Sequence, residues 1–313
     1  MTTMKKQLSL ALGAIVVVVV IVFLVPGTRN ALTTFYTYLF APQAVKDMLF
    51  VVGTEEEASL AQVRFGALRF TSFDNLSIVE VARREKQIYT LLKDRATGEV
   101  DVYALEDSHP RALTRDGTMK EGLSISPNGA LLSYATVGEA LDGRDPIYYD
   151  VRRHSVTVLN IETGELSEFG NGAHPYFLDD DTLFYTDTEG YVVRSVTGPE
   201  ESTLRDSFTN TIVAPPAVSP ESGYFAFRNV LSVNDFTVLH LDSLFPVSVR
   251  LEKVIAPASG TLQDLAFRGD VAYLSISEEA GAVRIFEEPL GSQEPTRALF
   301  TFPREVQIMS IEF

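Results

Sequence analysis

One arrangement recurs along this chain and limits what it can become: a short apolar strand, a tight polar turn and a second apolar strand. The clearest copy is Glu121–Val137, EGLSISPNGALLSYATV. Leu123 and Ile125 alternate with small polar residues, and Leu131, Leu132, Tyr134 and Val137 follow the turn. In Ser126-Pro127-Asn128-Gly129 the proline presets φ, the asparagine tolerates the bridge or left-handed region, and the glycine takes positive φ without a Cβ clash. Related units are Ile78–Leu92, turning at Ala82–Lys86, and Pro175–Thr186, turning at Asp179–Asp181. Two more are Pro216–Phe227, whose Ser-Pro turn is one residue longer, and Asp264–Ser275, turning at Arg268-Gly269-Asp270. Each is followed by another strand signal, at Val100–Leu105, Val156–Ile161, Tyr191–Val196, Phe236–Leu241 and Val283–Phe286. No long 3.6-residue period interrupts the pattern after Met48, so the chain reads as all-β.

The first strands of these units start near residues 76, 121, 174, 216, 262 and 306, giving intervals of 45, 53, 42, 46 and 44. Four-stranded propeller blades repeat every ~40–45 residues, and a closed ring of them buries faces that one blade leaves exposed. The sixth start has no strands after it, because Val306–Phe313 ends the sequence. Asp47–Gly53, Leu60–Phe65 and Leu68–Thr71 supply three strands that lack an innermost partner. We therefore expect a six-bladed β-propeller over residues 47–313, closed by the C-terminal strand. A β-sandwich accommodates the strand content but not the complementary incomplete ends.

The repeats resemble the WD40-like repeats of the TolB family. That family's blades carry a P-x-x-S-P-D-G core and an outer strand ending in R-x-L-T. Pro216-Ala217-Val218-Ser219-Pro220 and Ser126-Pro127-Asn128-Gly129 match the first, and Arg111-Ala112-Leu113-Thr114 matches the second. The stretch Pro26–Lys46 is too short for the α/β domain that precedes the propeller in that family. The resemblance implies an envelope propeller that docks proteins on one face.

The N-terminus places the domain. Lys5 and Lys6 precede an uninterrupted apolar run from Leu8 to Val25, eighteen residues, or about 27 Å as a helix. Signal peptides carry shorter apolar regions of ~7–15 residues ending in small residues, whereas Pro26-Gly27-Thr28-Arg29 follows here. Residues 1–25 are thus expected to form a retained transmembrane helix with the propeller on the extracytoplasmic side, and 26–46 a juxtamembrane linker. Phe35, Tyr36, Tyr38 and Phe40 in that linker suit either the membrane interface or packing against the domain. The net charge is −16, and beyond the two lysines it is 24 basic against 42 acidic residues, or −18. So acidic a surface repels phosphate backbones, which excludes nucleic acid as a partner. With no cysteine in the chain, disulfides and thiolate chemistry are excluded as well.

No motif carries catalysis. His109, His154, His174 and His240 form no H-E-x-x-H pair, and neither a G-x-S-x-G elbow nor a Walker A loop is present. His109 and His174 both precede proline and read as loop residues. Asp179–Asp181 occupies a blade turn, as does Arg268-Gly269-Asp270, and turn chemistry accounts for both. No cofactor, metal or catalytic residue is expected. One connection is long: Gly138–His154, GEALDGRDPIYYDVRRH, where loops beyond ~12 residues are usually functional or disordered. Arg144, Tyr148, Tyr149, Arg152 and Arg153 in it are residue types favoured as interface anchors, and they are the candidate partner-binding residues. Packing of the loop onto its own blade is the competing reading. Two functions follow: a membrane-tethered propeller binding another envelope or extracellular protein, or a propeller enzyme or carbohydrate or lactone binder using the central channel. Carboxylates converging with a histidine at the channel mouth would favour the second.

Overall fold

In the computed structural model, the Ser126–Gly129 turn closes as its residues require. Gly129 donates to the Ser126 carbonyl at 2.8 Å with a φ of 73°. The Ser126 hydroxyl donates to Asn128 Oδ1 at 2.8 Å and accepts the Leu131 N–H at 2.9 Å. In the longer turn the Ser219 carbonyl accepts Gly223 N–H at 2.9 Å. The three aspartates of the 179–181 turn point three ways: Asp179 accepts the Asp181 and Thr182 N–H groups, Asp180 accepts Asn128 N–H, and Asp181 accepts the Ser195 hydroxyl. Turn closure and strand tethering explain them.

The structure describes residues 34–54, 57–106, 109–137, 153–187, 190–204, 217–229, 232–278, 281–292, 294–302 and 306–313. These fall into two units. The larger, Met48–Ala61 with Phe70–Phe313, follows the propeller plan. The first blade consists of β1 (Leu49–Gly53), β2 (Ala58–Arg64) and β3 (Ala67–Thr71), with a C-terminal strand inside them. The second is β4 (Leu76–Arg84), β5 (Gln87–Asp94), β6 (Val100–Glu106) and β7 (His109–Ala112). The third is β8 (Met119–Ile125), β9 (Leu131–Val137), β10 (His154–Asn160) and β11 (Leu166–Asn171). Then come β12 (Ala173–Phe177), β13 (Thr182–Thr186), β14 (Tyr191–Ser195) and β15 (Glu201–Leu204), followed by β16 (Ala217–Ser219), β17 (Tyr224–Asn229), β18 (Ser232–Leu244) and β19 (Val247–Ile255). The last full set is β20 (Thr261–Arg268), β21 (Val271–Ser277), β22 (Val283–Pro289) and β23 (Arg297–Thr301), and β24 (Ile308–Glu312) ends the chain. The first sheet runs β24-β1-β2-β3, so the C-terminal strand closes the ring as expected.

Inner strands begin within two residues of the positions read from the repeat. Local bounds differ. The turn expected at Ala82–Lys86 contracts to Glu85-Lys86, because Ala82 and Arg83 still pair with Tyr89 and Ile88. The strand expected at Phe236–Leu241 extends to Ser232–Leu244, held by a long ladder to β19.

Faces of neighbouring blades bury each other. Between the fourth and fifth blades, Phe184 stacks on Tyr191 at 4.8 Å between ring centroids, and both meet Phe225. Between the second and third, a fully buried Lys120 donates to Asp101 at 3.1 Å, Asp116 at 2.5 Å and the carbonyls of Val100 and Thr118. Thr114, the last residue of R-x-L-T, donates to the same Asp101 carboxylate and accepts the Val102 N–H, which is the structural work that motif does here. Lys120→Met is expected to leave Asp101 with the Thr114 hydroxyl but no cation, and to cost about 3 kcal/mol, the lower end for removal of one partner of a buried ion pair. Urea unfolding measures it, and an unchanged midpoint would show that the ammonium does not hold the junction.

The smaller unit contains, among described residues, 34–47 and Gln62–Arg69. Residues 34–39 form a short helix, α1, and Gln43–Asp47 a second, α2. The stretch expected to be a linker thus contains two short helices, with residues 40–42 between them. Of its four aromatic residues, Tyr38 is buried and Phe35, Tyr36 and Phe40 are exposed. The expected membrane span at 1–25 lies outside the described residues. Among described residues, no helix is long and apolar enough to cross a membrane.

Candidate functional site

Five of the six inner strands bring a carboxylate or a tyrosine to a central cavity of about 680 Å³: Glu80 on β4, Glu121 on β8, Tyr176 on β12, Asp264 on β20 and Glu312 on β24. Four of these sit at a break in register, between Ile78 and Glu80, Glu121 and Ser124, Ala173 and Tyr176, and Leu262 and Asp264. A β-bulge bends its strand and re-aims a side chain, and here it turns a polar residue toward the lumen.

The carboxylates join blades. Asp264 accepts the Ile311 N–H across the ring closure at 2.7 Å. Glu312 accepts from Arg83 on the second blade, and Glu80 from Gly122 and Leu123 on the third. Ser124 extends the series by accepting the Phe177 N–H at 3.2 Å, from the fourth blade. On the far side, Ser219 donates to the Gly269 carbonyl, and Arg228 to the Leu262 and Gln263 carbonyls.

Burial raises all four acids. Glu80 and Asp264 are pushed up to about 7. Glu121 rises to about 8 through burial and then the Glu80 charge, and Glu312 to about 8 through burial and then Asp264 and Glu80. A protonated carboxyl still accepts through its carbonyl oxygen and gains a hydroxyl donor. Near neutral pH the lumen therefore carries acids poised between charged and neutral forms.

At the end of the channel where β8 and β12 begin, Glu121 Oε1 lies 3.3 Å from His154 Nε2 and 3.8 Å from His174 Nδ1. These are approaches without hydrogen-bond geometry, and among described residues neither Glu121 Oε1 nor His174 Nδ1 has a partner. Burial, followed by the neighbouring His154, pushes His174 down to about 4, so its ring is neutral at physiological pH. The strands meet closely here: a Cβ on Gly122, at a φ of 67°, would fall 2.9 Å from the His174 Cα. Among described residues no group of three or more histidines and carboxylates is arranged to hold a metal ion.

His109 and His174 were both expected to be loop residues, and that reading is corrected. His109 opens β7, and His174 is the second residue of β12, at a φ of 52°, and lines the channel. Of the candidate partner-binding residues, Arg144, Tyr148, Tyr149 and Arg152 lie outside the described residues. Arg153 is half-buried directly before β10. Val137 and His154, at the two ends of the long connection, are paired in the β9–β10 ladder. The residues that bound the long connection are thus adjacent, and His154 among them lies beside Glu121.

No protein-family model matches this chain, and no curated protein matches it. Solved structures do. TolB from Acinetobacter baumannii aligns with a TM-score of 0.55 at 12% identity, over 84% of this chain and 66% of that one. A chain of a mitotic checkpoint complex aligns with a TM-score of 0.51 at 11% identity, over 86% of this chain and 80% of that one. A TolB of Agrobacterium tumefaciens is 14% identical over 66% of this chain and 77% of that one, with a TM-score of 0.48. This chain thus spans just under two thirds of the Acinetobacter protein. At these identities the likeness is one of fold, a TolB-like six-bladed propeller.

Proposed function

We propose that this chain is a membrane-tethered extracytoplasmic propeller whose long-loop face docks another protein. The observation that carries the reading is the 138–153 excursion, inserted between two directly paired residues and rich in tyrosine and arginine. The Leu8–Val25 run supports the tether, and the likeness to a chain from a multi-protein assembly agrees with docking. Tyr148 and Tyr149 serve as apolar anchors, with Arg144, Arg152 and Arg153 pairing with acidic groups of the partner. Truncating a buried interface tyrosine costs about 2 kcal/mol or more, roughly thirtyfold in affinity. A Tyr148→Ala/Tyr149→Ala protein is expected to lose crosslinked partner in native membranes while melting at the wild-type temperature. A large drop in melting temperature would instead assign the tyrosines to the blade.

A second reading is favoured by Glu121 and His174, two channel-lining residues that each bury a polar atom without a hydrogen-bond partner among described residues. It makes the lumen a site for a small neutral ligand such as a sugar or lactone. Thermal shift with those compounds separates the two. A shift abolished by Glu121→Ala and kept in the tyrosine double variant would favour the channel over docking.

A further inference from the structure

Five large apolar side chains stand exposed in the smaller unit: Phe35, Tyr36 and Leu39 on α1, Phe40 directly after it, and Phe65 on the β2–β3 turn. Phe40 is 76% and Phe65 86% exposed. Their backbone is held in place. Lys46 Nζ donates to the Leu39 carbonyl at 2.9 Å, and Gln62 Nε2 donates to the Lys46 carbonyl at 3.1 Å. The Phe35 ring covers Gly66 so closely that a Cβ there would meet it at 2.5 Å. Tyr36 stacks on Phe40 with centroids 6.2 Å apart.

Phe65 is the least expected of the five. The turn has positive φ at both central residues, 50° at Phe65 and 72° at Gly66. Asn-Gly is the usual sequence for such a turn, and a bulky residue with positive φ is a genuine outlier. Residues held in disfavoured conformations cluster at binding sites, and an exposed phenylalanine so held marks this tip as one to explain.

Two facts narrow the explanation. Only residues 26–33 separate the Leu8–Val25 apolar run from α1, and eight residues reach at most about 29 Å. Charge points the same way. Among described residues, this unit carries Lys46, Arg64 and Arg69 against Asp47, three minus one, or +2, in a chain of −16. Aromatic side chains with nearby basic residues are the usual composition at the headgroup level of a bilayer.

We propose that Phe35, Tyr36, Leu39, Phe40 and Phe65 form a lipid-docking surface that inserts into the interface of an anionic bilayer, with Lys46, Arg64 and Arg69 drawn to its phosphates. The surface rests on the tethered reading only for proximity, and it binds lipid through its own residues. It holds the start of the ectodomain against the membrane rather than leaving it on a free linker.

The chain contains no tryptophan, so a single substitution gives a unique fluorescent reporter. Full-length Phe40→Trp and Phe65→Trp proteins are reconstituted into vesicles containing phosphatidylglycerol, with and without lipid brominated along the acyl chain. Phe245→Trp, at an exposed propeller turn, is the control. The first two are expected to emit at shorter wavelength and to be quenched by bromines about 5–10 Å below the headgroups, the depth reached by interfacial aromatics. The control should be unaffected. Blue-shifted emission that brominated lipid leaves unquenched would mean that a protein or a second copy covers the patch, which overturns the proposal. Carbonate extraction reports on the tether separately. Retention without quenching overturns the lipid surface and leaves the anchor standing, whereas quenching in a protein that carbonate releases supports the surface and removes the anchor.

Discussion

Raising the pH from 6 to 9 is expected to lower the melting temperature of this protein by about 10 °C, counter to the acid lability of most folded chains. Glu80, Glu121, Asp264 and Glu312 all hold their protons to about pH 7–8 in the folded state, whereas the unfolded chain releases them near 4. Their stabilising contribution is therefore complete below about pH 4 and is lost as the pH rises through 7 to 8. Each pKa unit between the folded and unfolded chain is worth about 1.4 kcal/mol. Even with half the effect removed by mutual coupling and by water in the lumen, several kcal/mol remain. His174, pushed down to about 4, acts in the other direction: its contribution is lost as the pH falls from its ordinary range near 6.5 toward 4. One histidine against four acids leaves the acids dominant, so these groups favour the folded state most near pH 4–5 and progressively less as the pH rises. The combined Glu80→Gln, Glu121→Gln, Asp264→Asn and Glu312→Gln protein keeps carbonyl acceptors for the backbone clasps and removes the charges. It should melt at nearly the same temperature at pH 6 and pH 9. A wild-type-like slope in that variant would assign the pH dependence to other groups.

The architecture was legible because a propeller writes its period into the sequence, while its channel is written only in single residues. Ser126–Gly129 and Ser219–Gly223 fix two turns, and alternation fixes the strands between them. The spacing then demands a ring, and the incomplete ends demand closure by the last strand. Glu80 is different. Within Ile78-Val79-Glu80-Val81 it reads as one polar residue in an alternating strand, and such a residue ordinarily faces water. A register break turns it toward the lumen, and bulges of this kind leave no dependable mark in a single sequence. Glu121 opened the most informative stretch of the chain and still carried no signal, since its meaning depends on His154 and His174, residues 33 and 53 positions away. His174 was misread because the proline after it suggests a turn, whereas it lies inside β12 with a positive φ at a break in register. The exposed Phe65 follows the same logic: its sequence is ordinary for a strand end, and only its positive φ sets it apart.

Removing Ile308–Phe313 is expected to abolish cooperative unfolding rather than merely to lower its midpoint. The segment buries Ile308 and Ile311 almost completely, and each large-to-small change at such sites costs about 2–5 kcal/mol. Its loss also leaves Leu49, Phe50, Val51 and Val52 of β1 without their ladder partners, at a sheet edge that is apolar and buried in the intact ring. Such an edge is a template for association with other chains. Two clasps go with it: the Ile311 N–H that Asp264 accepts and the Glu312 carboxylate that accepts from Arg83. A total of this size matches or exceeds the ~5–15 kcal/mol that holds a typical domain folded, so aggregation is the expected readout in light scattering. A peptide of sequence VQIMSIEF, Val306–Phe313, added in trans should restore a cooperative melt by strand addition, and its Ile311→Asp version should not. A truncated protein that unfolds at the wild-type midpoint without the peptide would show that the ring holds without its last strand.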